Sequence, residues 1–231
     1  MEDKAMVEVD TTAPELTEKY NEVYKDGEDN FWTFLPTGER ASVLKHVDFT
    51  DRNVLEVGCG TGDFAAWIAR SGAAKVVAMD ASPMAIAGAC AKYDIPNLIF
   101  ITGQIGNGHW DTSKTKYDAV VMIGVLEHVR SPSSAVKIIS DQFLAPGGVL
   151  VTSSPYFSNP RGYVWLALQE LADAKMSLTD KHMITNADMF KYAREAGLDP
   201  IRYDVVDRSW GVGEKLLKDF NRRLGLALPH L

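Results

Sequence analysis

Cysteine is scarce in this sequence, which contains only Cys59 and Cys90, and neither stands in a cluster with the spacing of metal ligands. The pair provides no disulfide framework and no zinc site, so we expect no bound metal and a reducing, cytoplasmic environment. Residues 1–20 are acidic and polar and lack the basic start and apolar core of a secretory signal. No uninterrupted apolar run reaches the roughly 18 residues of a membrane span.

A surplus of positive charge is also missing, since 24 basic residues stand against 31 acidic ones and the formal net charge is −7. Nucleic-acid binding needs a concentrated positive field, so we expect no nucleic-acid partner. The chain has 231 residues, of which 46 % are hydrophobic. A chain of this length buries roughly 70–75 % of its unfolded surface in one domain, and we predict a single domain over residues 1–231.

What the sequence does contain is a regular alternation of short apolar runs with longer helical segments. This alternation is typical of βαβ units, so we predict an α/β fold with a doubly wound, mostly parallel, Rossmann-like sheet and helices on both faces. Ser82 and Pro83 predict the start of one helix, and Asn186 as N-cap and Gly197 as terminator predict the limits of another. The predicted strands cover residues 53–58, 75–80, 98–103, 117–124, 147–155 and 200–207, with no clear seventh strand.

Departures from the alternation divide the domain into parts. Residues 1–50 are predicted as an N-terminal helical cap, and residues 51–155 as a cofactor-binding core. Residues 156–185 form an insert that we interpret as a lid over the substrate, and residues 186–231 complete the fold.

The insert carries an apolar stripe. Pro160 and Gly162 favour a turn, after which Val164, Leu168 and Leu171 follow at i, i+4 and i+7 of a helix. We interpret the stripe as buried against the domain or against a second copy of the chain in a homodimer. Contact with a membrane surface is the alternative, although flanking basic residues are missing.

The stretch VLEVGCGTGDFAAWIA, residues 54–69, joins a buried strand to a helix through a turn that contains Gly58, Gly60 and Gly62. Glycine permits the positive φ of a tight turn and the close approach of a ligand, and the following helix offers unpaired N–H groups. We therefore expect a small molecule above this turn.

Three adenine-containing cofactors compete for the turn: a nucleoside triphosphate, a nicotinamide dinucleotide and S-adenosylmethionine. The lysine and Ser/Thr of a phosphate-binding loop are missing, which excludes the triphosphate. Glu56, two residues before Gly58, disfavours a pyrophosphate but suits the sulfonium and α-ammonium of S-adenosylmethionine. Asp80, at the end of the second strand, suits the two ribose hydroxyls of either remaining cofactor, so it does not decide between them.

The order of Glu56, the three glycines, Asp80 and a polar Gln104 is more selective. With the motifs LEVGCGTG, VVAMDAS, YDAVVMIGVLEHV and LAPGGVLV, the sequence resembles the class I S-adenosylmethionine-dependent methyltransferases over about residues 40–200. The resemblance implies a seven-stranded sheet with the cofactor across the carboxyl ends of its first strands. It also implies the residues that bind the cofactor: Gly58, Gly60 and Gly62 at the methionine part, Asp80 at the ribose, Ala81 against the adenine, Gln104 and the Ile105 backbone at the adenine edge, and the Ile123 backbone at the ammonium.

Within this superfamily, GVLEHV and the insert look like those of the ubiquinone-biosynthesis O-methyltransferases. In that group an arginine before the first strand binds the cofactor carboxylate, and Arg40 stands at a comparable distance; a solvated surface arginine is the alternative. The resemblance implies a small-molecule acceptor that is methylated at oxygen. Because the seventh strand is missing and a polar tail replaces the ending of that group, we interpret the chain as a relative rather than as that enzyme.

Glu127 and His128 follow the fourth strand, where an α/β site faces its substrate. Histidine titrates near neutral pH and is able to take a proton from a hydroxyl, so His128 is the candidate catalytic base. A structural role in packing or capping is the alternative, and His182, near the end of the insert, has a weaker claim. Methylation of carbon or nitrogen, and a cofactor-binding subunit without activity of its own, stay open as alternatives.

Overall fold

The computed structural model describes residues 17–18, 21, 37–105, 115–156, 160–172 and 181–206, together with isolated positions between 214 and 228. Most of the predicted N-terminal cap, parts of the insert and most of the region after residue 206 therefore lie outside the described residues.

The described residues form one sheet of five parallel strands in the order β3-β2-β1-β4-β5. The central strands β1 and β4 are apolar and buried along most of their length, as expected for strands covered on both faces. Strand order reverses direction between β1 and β4, and ligands of open α/β sheets bind beside such a reversal. The strands are β1 (Asn53–Val57), β2 (Lys75–Asp80), β3 (Leu98–Thr102), β4 (Tyr117–Ile123) and β5 (Leu144–Ser153).

Helices cover both faces of the sheet, which confirms the predicted doubly wound architecture. One hydrophobic core joins the sheet to α1 (Thr37–His46), α2 (Asp63–Arg70) and α3 (Pro83–Lys92). A second core joins it to α4 (Pro132–Ile138), the π-helical turn Ile139–Phe143 that follows α4, and α6 (Asn186–Glu195). Helix α5 (Pro160–Ala172) lies in the predicted insert. None of the helices in the described part of the chain has the length and apolar content that a bilayer span requires.

Serine followed by proline starts two of these helices. The Ser82 hydroxyl accepts a hydrogen bond from the Ala85 N–H, which confirms the predicted N-cap of α3. Ser131 and Pro132 start α4 in the same way, with the Ser131 hydroxyl accepting from the Ser134 N–H. The sequence prediction missed α4, although the same dipeptide signal was available there.

The predicted N-cap of α6 is wrong by one residue. Thr185, not Asn186, caps the helix, because its hydroxyl and the Asp188 carboxylate bond each other's backbone N–H groups in a capping box. The predicted end of α6 is confirmed. Gly197 adopts a φ of 69°, and the Leu198 N–H donates back to the Ala193 carbonyl across that left-handed position.

The predicted sixth strand, residues 200–207, does not form: residues 201–206 carry no strand. The alternation of Ile201, Tyr203 and Val205 fits a half-buried strand, yet Ile201 is 85 % exposed. No strand in the described part of the chain pairs with this segment, and strand geometry depends on such pairing. Asp204 accepts from the Arg202 guanidinium at 2.8 Å and lies 3.4 Å from His46 Nε2 on α1.

Two further boundaries differ from the sequence prediction. Strand β5 begins at Leu144, before the predicted start at 147, because Leu144 pairs with Tyr117 before a bulge and regular pairing resumes at Val149. The turn predicted at Pro160 and Gly162 is instead the first turn of α5, where proline is tolerated because its missing N–H has no helical partner.

Candidate functional site

The glycine turn after β1 is fixed to the end of β2 by backbone hydrogen bonds. The N–H groups of Gly58 and Cys59 donate to the Met79 carbonyl at 2.7 and 3.0 Å. The Gly62 N–H closes the turn on the Cys59 carbonyl at 2.9 Å. Burial raises the pKa of the Cys59 thiol, so this side chain stays protonated and packs as a small apolar residue.

Gly58 and Gly62 are required at their positions by conformation and by space. Both have positive φ, 75° and 76°, where a side chain is strained. A Cβ on Gly58 would lie 2.5 Å from Val125 Cγ2, and one on Gly62 would lie 2.6 Å from the Phe100 ring. The turn therefore packs directly on β3 and on the loop after β4.

Asp80 ties this turn to the loop after β2. Its Oδ2 accepts from the Gly60 N–H and its Oδ1 from the Ser82 N–H, each at 2.8 Å. Burial raises the pKa of the Asp80 carboxyl, while the N–H groups of Ser82 and Gly60 act in the opposite direction. The carboxylate is thus oriented by backbone donors of the two loops that border the predicted ribose position.

Glu56 is an acidic side chain in the core of the fold, with 1 % of its surface exposed. Burial raises the pKa of Glu56 to about 8; the Arg40 charge and the Ala65 N–H lower it, and Asp80 raises it further. Glu56 Oε2 and Arg40 Nε are buried and have no hydrogen-bond partner among the described residues. Because the Arg40 charge lowers the pKa of Glu56, the guanidinium on α1 lies close enough to interact electrostatically with this carboxyl.

The loops after β2 and β3 contact a helical segment near the N-terminus. Gln104 Nε2 donates to Thr17 Oγ1 at 3.2 Å, and the Ser82 hydroxyl bonds the Asn21 side-chain carbonyl. Sequence reasoning missed Thr17 and Asn21, and no local signal marks them, because only the fold brings them to these loops.

The other predicted adenine residues, Ala81 and Ile105, lie in the same two loops, with Ala81 half-buried and Ile105 buried. Both loops start where their strands end, on the same edge of the sheet as the glycine turn.

Ile123 ends β4 on this edge, and the chain then turns at Gly124, whose φ is 65° and whose N–H donates to the Ser153 carbonyl at 3.1 Å. Val125 follows and occupies the space that a Gly58 side chain would need. The loop after β4 is therefore in direct contact with the glycine turn.

Glu127 and His128 lie in this loop. The Glu127 carboxylate is 2 % exposed, and its Oε2 accepts from the Ser154 hydroxyl at 3.0 Å. His128 Nε2 lies 3.9 Å from Glu127 Oε1, and the His128 side chain is 14 % exposed. His182 is turned toward the same loop, with Nε2 at 2.9 Å from the Val129 carbonyl oxygen.

The buried polar atoms at this edge of the sheet suit a zwitterionic organic ligand. The described residues contain no group of three or more His, Cys, Asp or Glu side chains that could hold a metal. The buried atoms Glu56 Oε2 and Arg40 Nε are instead a lone acceptor and a lone donor in one region. An α-ammonium and an α-carboxylate provide the matching charges.

A family model described as a methyltransferase domain matches residues 31–202. The chain belongs to this methyltransferase family. The matched range contains each predicted site residue, and with the parallel sheet it identifies the class I S-adenosylmethionine-dependent fold.

Two curated relatives illustrate the range of proteins that this methyltransferase is similar to. The ribosomal protein arginine N-methyltransferase rmt3 of Schizosaccharomyces pombe is 34 % identical over 112 residues, which are 47 % of this chain and 20 % of the relative. The ubiquinone biosynthesis O-methyltransferase of Neisseria meningitidis serogroup C is 28 % identical over 160 residues, 67 % of this chain and 66 % of the relative. The chain spans 20 % of the length of the arginine N-methyltransferase and between 37 % and 66 % of the length of several ubiquinone biosynthesis O-methyltransferases that it matches.

A solved structure supports the fold. The magnesium protoporphyrin IX methyltransferase of Synechocystis PCC 6803, with bound S-adenosylhomocysteine, superimposes with a TM-score of 0.58 at 20 % identity, over 82 % of this methyltransferase and 87 % of that chain.

Proposed function

We propose that this protein transfers a methyl group from S-adenosylmethionine to a hydroxyl oxygen of a small molecule, with His128 as the base. The observation that carries the proposal is the position of His128. Its imidazole lies in the loop after β4, beside the buried Glu127 carboxylate, and that loop contacts the glycine turn through Val125. The ubiquinone biosynthesis O-methyltransferases among the relatives support oxygen as the acceptor atom.

The chain's own residues would hold the cofactor at three places. Asp80, oriented by the Gly60 and Ser82 N–H groups, would accept the ribose hydroxyls. Glu56 and Arg40 would pair with the ammonium and carboxylate of the methionine part. Gln104 would bind the adenine edge from the loop after β3, where its Nε2 donates to Thr17 Oγ1.

Bound S-adenosylmethionine supplies an electrophilic methyl group on a positively charged sulfur. The protein's main contribution is alignment of the acceptor with that methyl group, an effect that contributes roughly 7–11 kcal/mol in favourable cases. A hydroxyl acceptor must also lose its proton, and a ring nitrogen of His128 would receive it. Such a positioned base is typically worth 10²–10⁴-fold in rate.

The test is a screen for S-adenosylhomocysteine release with phenols, catechols, aliphatic alcohols, carboxylic acids and amines as acceptors. We expect turnover with at least one hydroxyl compound, and a His128→Ala variant that binds the cofactor normally but turns over about 10²–10⁴-fold more slowly. His182→Ala is the comparison variant: a loss of the same size there, with normal turnover by His128→Ala, would assign the base to His182. Full turnover by a well-folded His128→Ala protein would remove the base from the mechanism.

Methylation of nitrogen is the second candidate, favoured by the arginine N-methyltransferase among the relatives. That match covers 47 % of this chain and 20 % of the relative, so four-fifths of the relative is not compared with this chain. Turnover with amines or arginine peptides but not with hydroxyl compounds would decide for this candidate.

A further inference from the structure

Glu127 is an acidic side chain that the proposed reaction does not yet use. It lies directly beyond β4, at the edge of the sheet where the cofactor residues gather, and it is 2 % exposed. A carboxylate is expensive to bury without compensating partners. Because burying this side chain costs free energy, we expect Glu127 to have a role that an apolar residue at the same position would not have.

Three parts of the chain meet at Glu127. The Ser154 hydroxyl, directly after β5, donates to its Oε2 at 3.0 Å. The backbone N–H groups of Lys181 and His182 donate to its carbonyl at 2.8 and 3.1 Å. The last part of the insert is thus joined to the loop after β4 at this residue.

The other carboxylate oxygen faces the neighbouring histidine. Glu127 Oε1 lies 3.9 Å from His128 Nε2, which is within ion-pair range and beyond hydrogen-bond length. A negative charge at this distance favours the protonated form of an imidazole. The hydrogen bond from the Ser154 hydroxyl to Oε2 restrains the position of this carboxylate beside the ring.

We propose that Glu127 is a positioning residue, whose buried carboxylate orients the His128 imidazole and stabilises the imidazolium formed when His128 accepts the acceptor's proton. The inference rests on the proposed function. In the step concerned, the hydroxyl O–H bond breaks, its electron pair stays on oxygen, and the proton forms an N–H bond with the ring, which gains one positive charge. That charge is offset by Glu127 and leaves when the ring returns its proton to solvent.

Other titratable groups lie near Glu127 and His128, and their effects on the His128 titration must be distinguished from that of Glu127. Arg130 lies on the same loop, and Lys181 and His182 lie on the segment that crosses it. The side chain supplied by the end of β5 is the neutral hydroxyl of Ser154. Replacing Glu127 by glutamine changes the charge at this point and leaves those other groups in place.

The test follows the His128 ring signal by NMR during a pH titration, with the signal assigned by its loss in His128→Gln. We expect the titration midpoint to fall by about one pH unit in Glu127→Gln, since a charge partner within 4–6 Å typically shifts a pKa by one unit or more. Asp94→Asn, which neutralises an exposed carboxylate after α3, is the matched control. Equal midpoints in wild type and Glu127→Gln, or an equal shift in Asp94→Asn, would overturn the inference.

Ser154→Ala keeps the carboxylate charge but removes its restraint, and it serves as the second variant if Glu127→Gln does not fold. With the hydroxyl acceptor found in the screen, we expect Ser154→Ala to lower kcat about tenfold at unchanged cofactor affinity and unchanged KM, because a loosened partner orients the base less well. Unchanged kcat would contradict the positioning role. A protein that is only less stable, with normal turnover per folded molecule, would contradict it as well.

The inference and the proposed function fail in different ways. If His128→Ala is inactive and the midpoint does not move in Glu127→Gln, the base stands and the positioning role is wrong. If the midpoint moves but His128→Ala is fully active, the charge pair exists and oxygen methylation through His128 is wrong.

Discussion

The two halves of the site are held together differently. Beside β1 and β2, backbone N–H groups orient the key carboxylate, as when Gly60 and Ser82 hold Asp80 at 2.8 Å. Beside β4 and β5, side chains do this work, as when Ser154 holds Glu127. The first arrangement joins two loops of one βαβ unit. The second joins Ser154 to Glu127, which are 27 positions apart, and His182 to Val129, which are 53 positions apart.

This difference explains why the cofactor half is easier to recognise. Backbone donors are present in every sequence, and only their conformation must be secured, which a short glycine motif achieves. Side-chain contacts across the sheet depend on the identity of several distant residues. We therefore expect related methyltransferases to differ more beside β4 and β5, the proposed acceptor half.

The largest expected effect concerns Glu56, the buried carboxyl of the cofactor half. The Glu56 carboxyl has an ordinary pKa of 4.5 and a pKa of about 8 in the fold. Below pH 4.5 it is protonated in both folded and unfolded protein; as pH rises to 8 the unfolded chain loses the proton first. The free energy of unfolding of the cofactor-free protein should therefore fall by about 1.4 kcal/mol per pH unit, roughly 5 kcal/mol in all, and then level off.

Urea unfolding between pH 5 and 9 measures this effect, with Glu56→Gln as the comparison. The variant lacks the titrating group, so we expect its stability to change much less over the window and to exceed that of the wild type at pH 8.5. Its cofactor affinity should fall, because the amide cannot pair with an ammonium ion. Parallel pH curves for the two proteins would show that Glu56 ionises normally.

Gly62→Ala tests whether the turn is restricted by conformation or by packing. We expect a loss of about 2–4 kcal/mol in stability, from the positive φ and from the Cβ that would lie 2.6 Å from the Phe100 ring. Adding Phe100→Leu should recover the packing part and leave the conformational part. If the stability losses of Gly62→Ala and Phe100→Leu simply add in the double variant, the whole cost of Gly62→Ala comes from the backbone conformation.

Asp80→Ala weakens the cofactor half without removing the glycine turn. Loss of a charged acceptor for two ribose hydroxyls should cost about 1.5–3 kcal/mol, or roughly ten- to hundredfold in affinity for S-adenosylmethionine and S-adenosylhomocysteine. Titration calorimetry measures both ligands. Unchanged affinity in the variant, or binding of NAD by the wild type, would contradict the assignment of this half.

The smallest effect is expected on helix α5. The apolar stripe is partly exposed in the described chain: Leu171 is 86 % exposed, Val164 is exposed and Leu168 is half-buried. Leu171→Ser should change the stability of the isolated chain by less than about 0.5 kcal/mol. Gel filtration and liposome flotation of the same variant show whether a second copy or a membrane covers the stripe; a larger loss of stability, unaffected by concentration, would place Leu171 in the chain's own core.

The sequence by itself determined the parallel sheet, the glycine turn, Asp80 at the end of β2 and the capped starts of α3 and α6 to within a residue. These features follow from effects that act within a few positions, namely steric limits on φ, capping hydrogen bonds and the alternation of apolar residues. The glycines at 58 and 62 were predictable because a turn of this shape excludes a side chain. Ser131 and Pro132 carried an equally local signal that the prediction did not use.

Only the tertiary structure decided that Arg40 lies near Glu56, that Thr17 meets Gln104, that Ser154 holds Glu127, and that residues 201–206 are not a strand. Desolvation of a carboxyl depends on every segment that covers it, and a strand exists only where another backbone pairs with it. Both depend on distant parts of the chain meeting in space, which a local sequence pattern does not encode.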